Sequence, residues 1–599
     1  MADMYQAPDY DVVIIGAGLA GLSLARQLLL RSSSLRILHL EKRLTVPQEG
    51  LKVGEATVQV SGYYFSKVLE LEEHLMSEHF LKYNLRFFWK TEGTDTQQVE
   101  TYSQSYIRKM SNVPSYQIAR LPFEAELIRV NQERAQQYTL HTHALDVAVD
   151  IAPDGAAGAP HVVTYRRHGE AQRVTAKWVV DAAGRAHVLQ RRLGLERSNN
   201  IKHGSSFLWV EGLLNVENLT DMTPTEVRLN PQRAMTGHLP FWLATNHFCG
   251  EGLWFWVIPL HGATSLGLVY DNRLVNPADV NDPKKLVQWI CDRFPVFQRD
   301  LPQRKVLHHG SFRSHSFDAV QTIDRNHWAM VGEAGRWTDP LYSPGGDVIA
   351  IYNTLVVDAI LTEDQADLDS KVPLFEQLEQ AVYAAYVPSF AVSYECLGDQ
   401  EAHSLKYTWE LTIYFAFYVF PFLNDLFTDR RFLIAFLRAF GKLGRVNHCL
   451  QVFLKAYYDW KKDHREGQQA PVFFDFYEIE ALAVAESTFY KVGVSLDEAR
   501  RVLDMQLENT NMLARYIAVH IYAMVLEAPE LVWNKAFVEQ IDIERLTFDP
   551  ARMRAEYDMY RGSTERYMWP PRWNPEAGFV FSTPTRAVAR DGHAMAAAV

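Results

Sequence analysis

The sequence predicts a mixed α/β protein in which a parallel βαβ domain is interleaved with a mostly antiparallel β-sheet domain and followed by a helical C-terminal region. Three observations predict this. Residues 11–41 read as strand, glycine turn, helix, strand. From about 200 to 315 the chain is rich in Trp, Val, Phe and Leu and alternates in places, as in SSFLWVEGLL and GLWFWVIPL, which is the strand period. Beyond about 375 it becomes helical and strongly aromatic, as in YTWELTIYFAFYVFPFLNDLF.

The first unit carries the sharpest signal. The apolar run DVVII leads into Gly16-Ala17-Gly18-Leu19-Ala20-Gly21 and then a helix. The first glycine permits the tight turn, the second lets backbone approach a pyrophosphate, and the third lets helix and strand pack closely. The helix N-terminus supplies N–H groups and a positive dipole end for the phosphates. Glu41 ends the next strand, 20 residues after Gly21, where a carboxylate can accept hydrogen bonds from ribose hydroxyls. This is a Rossmann-like dinucleotide fingerprint, and it serves NAD and FAD alike. The expected boundaries are 1–200 for the first part of this domain, with an insertion from the sheet domain around 80–115. The sheet domain follows at 201–318, the last part of the nucleotide domain at 319–362 and the helical domain at 363–560. Residues 561–599, with Pro, Arg and Ala and little periodicity, are expected to be a loosely ordered tail.

Composition narrows the class. With 599 residues the chain exceeds one ordinary core. A net charge of −12 disfavours nucleic acid, which needs clustered Lys and Arg. The four cysteines form no CxxC pair, so neither a disulfide framework nor a thiolate metal site is expected, and no metal is assigned. The start lacks the basic region of a signal peptide. The apolar stretch Trp409–Leu423 is too short to span a membrane and is interrupted by Glu410. A cytoplasmic enzyme without an integral membrane segment is the simplest expectation.

Three later segments decide between the two dinucleotides. Arg120 lies between a strand-like YQIA and a helix, Asp181-Ala182-Ala183-Gly184-Arg185 follows the strand KWVV, and Val331-Gly332-Glu333-Ala334-Gly335 follows HWAM. These resemble the FAD-contact segments of the p-hydroxybenzoate-hydroxylase-like flavoproteins. The resemblance implies FAD held by Gly16, Gly18, Gly21, Glu41, Ala56, Arg120, Asp181, Glu333 and Gly346. The family usually carries Asp in a GDA triplet to hold the ribityl chain; Glu333 is a longer acid there.

Trp254-Phe255-Trp256-Val257-Ile258-Pro259, with Val53-Gly54-Glu55-Ala56-Thr57, resembles the flavin-dependent halogenases. On a strand Trp254, Trp256 and Ile258 share one face, and with Pro259 they would form a dry active-site wall; the plainer alternative is that the tryptophans fill the core. Lys82, in Phe80-Leu81-Lys82-Tyr83-Asn84-Leu85-Arg86-Phe87-Phe88-Trp89, matches the KxGxxFxW segment that carries the catalytic lysine of phenol and pyrrole halogenases, with Asn84 in place of glycine. In that family the lysine presents the halogen to substrate, as a chloramine or as hydrogen-bonded hypohalous acid. Asp339-Pro340-Leu341-Tyr342-Ser343-Pro344-Gly345-Gly346-Asp347 corresponds to the halide loop DPxxS[TS]G, which implies Ser343 and Gly345 at the halide. Pro344 removes an N–H that the family uses there. Tyr342 stands where tryptophan halogenases often carry a glutamate, which favours a phenolic or other non-indole substrate over free tryptophan.

The resemblance therefore implies an enzyme of secondary metabolism using FADH2, O2 and chloride or bromide. Its partners would be a separate flavin reductase and a small aromatic substrate, free or tethered to a carrier protein. A halogenase-like monooxygenase or oxidase that does not halogenate is the alternative motivated by Pro344, and a flavin-loaded scaffold is the non-enzymatic one.

Overall fold

The structure is a computed structural model that describes residues 7–47, 55–153 and 159–586. Two eight-stranded sheets organise it. In the first, Tyr10–Ile15 pairs in parallel with Ile37–Leu40 on one side and with Glu170–Asp181 on the other. Tyr138–His141 and Trp328–Met330 extend the parallel array at its two ends. The run Val12, Val13, Ile14 is fully buried because helices cover one sheet face and an antiparallel extension, Leu145–Asp150 and His161–Arg167, joins the other side. The helices Leu19–Arg31, Arg120–Gln132 and Gly345–Leu361 pack together with this sheet.

The second sheet runs Val306–Phe312, His203–Glu211, Ala263–Asp271, Leu253–Leu260, Thr245–Gly250, Leu85–Lys90, Tyr102–Tyr106, Phe473–Asp475. It is antiparallel except where Thr245–Gly250 meets Leu85–Lys90 and where Phe473–Asp475 joins the edge. Residues 85–106 thus belong to this sheet although they interrupt the first domain in sequence. Alternation along Leu253–Leu260 splits its side chains between two cores. Trp254, Trp256 and Ile258 face the large core shared with the helical region, while Phe255 and Val257 face a smaller one closed by the helix Pro283–Arg293.

The C-terminal half is built on the helices Gln365–Ala391, Gln400–Tyr414, Arg430–His464 and Leu496–Leu526. Asp364, Asp399, Asp429 and Ser495 cap their N-termini by accepting backbone N–H bonds. Phe432, Phe436, Phe440 and Leu443, spaced by four, four and three, form the apolar stripe that buries the longest of them. The half is not purely helical, because Phe473–Asp475 adds an edge strand to the second sheet.

One expectation is overturned. Residues 561–586 are not a loose tail. Trp569, Trp573 and Phe581 are buried, the two indoles stack with centroids 5.5 Å apart, and Trp569 donates to the Val532 carbonyl. Aromatic burial replaces the regular periodicity that would have signalled order. Residues 587–599 lie outside the described residues. Among the described residues no helix is long and apolar enough to cross a membrane.

Candidate active site

The glycine loop is shaped to leave room for a ligand. Gly16 has φ +103°, and a Cβ there would collide with the Ala182 carbonyl. A Cβ on Gly21 would collide with the Gly16 carbonyl, so loop and helix close against each other only because both lack one. At Gly18 a Cβ would meet nothing within 4 Å, which leaves open space at the N-terminus of Leu19–Arg31. Glu41 is buried and braces the loop: Ala17 N–H and Arg43 N–H each donate to it at 2.9 Å. A carboxylate offers about four acceptor positions, so capacity for ribose hydroxyls remains. This cradle fits the ADP half of FAD.

The other expected FAD contacts divide. Asp181 is fully buried and accepts from Ala183 N–H at 2.9 Å and Leu189 N–H at 2.8 Å; burial pushes its carboxyl up to about 6. Its side chain ties its own loop together. Arg120 opens the helix Arg120–Gln132 with its guanidinium on the buried Glu124. Glu333 reaches Arg185, Nε to Oε2 3.1 Å, and is 39% exposed. Gly332, at φ +59°, brings this turn against Ala20 at the start of the fingerprint helix. Ala56 pairs with Gln117 in a short sheet. Val53 and Gly54 lie outside the described residues.

Lys82 is buried, at 3% exposure. It follows the short strand Phe80–Leu81, and its Nζ donates to the Thr57 carbonyl at 2.6 Å. Burial drives its pKa down to about 7, partly opposed by the charge of Asp347. Asn84 supplies the turn that glycine makes in the related motif. It sits at φ +60° and its side-chain amide donates to the Ile107 and Lys109 carbonyls, each at 2.9 Å. Asparagine tolerates the left-handed region better than most residues.

The loop 339–347 is held from behind. Asp339 Oδ2 lies 2.6 Å from His203 Nδ1 and 3.5 Å from His315 Nε2. These hydrogen bonds hold its carboxyl well below the usual range although burial opposes them. The three residues are the one group of metal-ligand composition among the described residues, but the short His203–Asp339 separation is a hydrogen bond, and the group acts as a clamp. Tyr342 and Ser343 both adopt left-handed backbone, φ +68° and +62°. The Ser343 N–H donates to the Pro340 carbonyl at 3.0 Å, so only its hydroxyl is free to meet a halide. Pro344 caps the 17-residue helix Gly345–Leu361, whose first internal bond runs from Val348 N–H to the Pro344 carbonyl. The N–H groups of Gly345, Gly346 and Asp347 therefore have no acceptor within the helix. Proline costs the nest one donor and leaves the next three aligned.

An aromatic cavity opens between this loop and the helical region. Tyr342, Pro344 and Asp347 line it from the loop side, and Tyr386, Tyr407, Glu410, Tyr414 and Tyr418 from the helices. Lys82 does not line it, but Val58, Leu85 and Asp347 around it do. Trp254, Trp256, Ile258 and Pro259 do not line it either. They form a dry layer behind: Trp254 donates to Tyr394 Oη at 2.8 Å, Tyr394 stacks on His203 with centroids 3.9 Å apart, and His203 holds Asp339. The active-site wall expected from the motif is thus a support for the loop rather than the surface of this cavity.

Sequence reasoning missed the acids of the cavity. Glu410 accepts from Lys406 Nζ at 2.7 and 2.9 Å, from Gln451 at 2.9 Å and from Ser389. The signal was present, a lone acid inside a long aromatic helix. Asp347, third residue of a buried helix, carried no comparable mark.

No family model matches the chain. Among curated proteins it is similar to the flavin-dependent halogenase chlA of Dictyostelium discoideum, 26% identical over 70% of this chain and 73% of that protein. It is also similar to the tetracycline 7-halogenase of Kitasatospora aureofaciens, 25% identical over 62% of this chain and 67% of that protein. Among solved structures, halogenase PltM superimposes with a TM-score of 0.57 at 16% identity, covering 84% of this chain and 96% of that one. A complex of PltM with phloroglucinol and FAD gives 0.56 at 15% identity over the same shares. The fold is that of an FAD-dependent halogenase, and the sequence is homologous to such enzymes.

Proposed function

We propose that this homologue of the flavin-dependent halogenases is itself an FAD-dependent halogenase, acting on a phenolic ring through Lys82. The observation that carries the reading is a lysine buried to 3% exposure beside the halide-type loop, with its pKa lowered to about 7. Gly16, Gly18, Gly21 and Glu41 would hold the ADP half of FAD, and the loop 339–347 would face its reactive end. Reduced FAD bound there, with O2 and chloride or bromide, supplies hypohalous acid. A separate reductase delivers the reduced flavin, and the enzyme works in the cytoplasm.

The chain's own part begins with the halide. The aligned N–H groups of Gly345 and Gly346, at a helix N-terminus, form an anion nest shifted past Pro344. Lys82 then takes the halogen. Near neutral pH a substantial share of its amine is unprotonated, which is the nucleophilic form. Its nitrogen forms the N–X bond as the O–X bond breaks and water leaves. The ring attacks X, the N–X electrons return to nitrogen, and the proton lost by the ring restores the amine balance. The buried setting limits loss of the oxidant to water and bulk solutes.

The test supplies the purified protein with a flavin reductase, FAD, O2 and chloride or bromide, and screens phenols, pyrroles and indoles by mass spectrometry. A halogenated phenol is the expected product. Hydroxylated products, or flavin oxidation with no product on any ring, would overturn the reading. Pro344→Thr restores one N–H. A charge-assisted hydrogen bond contributes about 1.5–3 kcal/mol, so halide affinity read from flavin absorbance should rise by roughly 10- to 150-fold. An unchanged affinity would show that the nest does not extend to position 344.

A further inference from the structure

We infer that Asp347 is a further catalytic residue, whose free carboxylate oxygen accepts the hydroxyl hydrogen of the phenol and so selects hydroxylated rings. The inference rests on the halogenase reading above and names the group that would recognise its substrate.

The argument starts from an unexplained oxygen. Asp347 is 1% exposed, and its Oδ1 accepts the Ser61 N–H at 2.8 Å. Its Oδ2 is buried and accepts no well-aligned hydrogen bond, although the Ser61 and Tyr414 hydroxyls lie beside the carboxylate and help hold it ionised against burial. An ionised oxygen left so is expensive, and in folded proteins such groups are the exception. The residue also lines the aromatic cavity, so the unpartnered oxygen belongs to a group that borders the space a substrate would fill.

The surroundings specify what would bind. Tyr386, Tyr407, Tyr414 and Tyr418 give the cavity flat walls for an aromatic ring. The second carboxylate, Glu410, is already engaged by Lys406, Gln451 and Ser389. Asp347 is therefore the acid with acceptor capacity to spare. Lys82 and Asp347 are close enough for each charge to shift the other's proton affinity. A phenol whose hydroxyl sits on Asp347 would have its ring in the cavity on the side where that carboxylate's charge reaches Lys82. Hydrogen bonding to a carboxylate also leaves more electron density on the phenol oxygen and on the ring, where the electrophile adds.

The test compares phenol with anisole, which keeps the ring and lacks the donor, and Asp347 with Asp347→Asn, which keeps the shape. Binding of each probe to the FAD-loaded protein is measured by calorimetry, with FAD retention measured alongside. Oxidant output is followed with a small diffusible thiol that traps hypohalous acid. Phenol should bind wild type roughly 10- to 150-fold more tightly than anisole, the span of one charge-assisted hydrogen bond. D347N should lose that preference while retaining FAD, and wild type should halogenate phenol in preference to anisole. Equal binding of phenol and anisole to wild type would overturn the inference without any variant. So would a D347N protein that keeps the preference, or one whose main defect is loss of FAD. Absence of trapped oxidant from wild type would instead overturn the halogenase reading, whichever way the binding falls.

Discussion

Burying the Lys82 amine strains the folded state in a way that can be measured. Its folded pKa, about 7, lies below the ordinary lysine value, so between pH 7 and 10.5 the unfolded chain holds a proton that the folded one lacks. Stability therefore rises with pH across that window, is fully relieved of the penalty above it, and carries the whole penalty below pH 7. Lys82→Met fills the same space without the charge. It should raise the melting temperature at pH 6–7, with the gain shrinking toward pH 10, while abolishing halogen transfer. A melting temperature that falls at every pH would mean the lysine is structural. If the neutral amine takes the halogen, transfer in wild type should also increase as pH rises through about 7; a decrease would favour an ammonium that only hydrogen-bonds the oxidant. Much of this site was legible in residues. The match at Lys82 and the glycine fingerprint needed only local spacing. Sequence could not show that the Asp181 side chain also braces its own loop by accepting the Ala183 and Leu189 N–H groups.

The element on which the halide chemistry depends is the loop 339–347. Two consecutive non-glycine residues in left-handed backbone, Tyr342 and Ser343, cost on the order of 1–2 kcal/mol each. The loop keeps that shape because Asp339 is clamped by His203 and His315, and His203 is stacked on Tyr394. His203→Ala should loosen the loop, weakening halide binding by several-fold with little change in FAD affinity; flavin absorbance during halide and FAD titrations reads both. A loss of FAD affinity equal to the loss of halide affinity would mean the clamp supports the whole domain. The WxWxIP strand was readable by its period, but not its place. Trp254 and Trp256 were expected to wall the active site, and tertiary packing on Tyr394 puts them behind the loop instead. At Pro344 the sequence shows the missing N–H and offers Gly345 and Gly346 as a shifted pair of donors, but not the helix start that aligns them with a third, at Asp347.

At the scale of the whole molecule, the C-terminal segment binds the helical region to the second sheet. Trp569 and Trp573 pack edge-on against Tyr516 of the helix Leu496–Leu526, and Phe581 meets Phe474 of the edge strand with centroids 5.0 Å apart. Thr585 bridges to Arg465. Truncating a buried aromatic costs about 3–5 kcal/mol. A chain ending at 560 should therefore lose soluble, cooperatively unfolding protein relative to the full chain, as thermal unfolding would read; unchanged melting would mean these contacts do not hold the halves together. The helical half was legible as helices, yet its connection to the sheet was not, since Phe473–Asp475 is too short a strand to announce itself and the tail is held by isolated backbone bridges and buried aromatics rather than a periodic element.

The most direct test of the central claim is a paired measurement on wild type and Lys82→Ala, each with FAD, a reductase, O2 and bromide. One arm traps free oxidant with a diffusible thiol, and the other quantifies brominated phenol. Equal trapped oxidant, with brominated phenol formed by wild type and lost from the variant, is the predicted result. Brominated phenol at the wild-type rate from the variant would contradict the account, because the halogen would then reach the ring without Lys82.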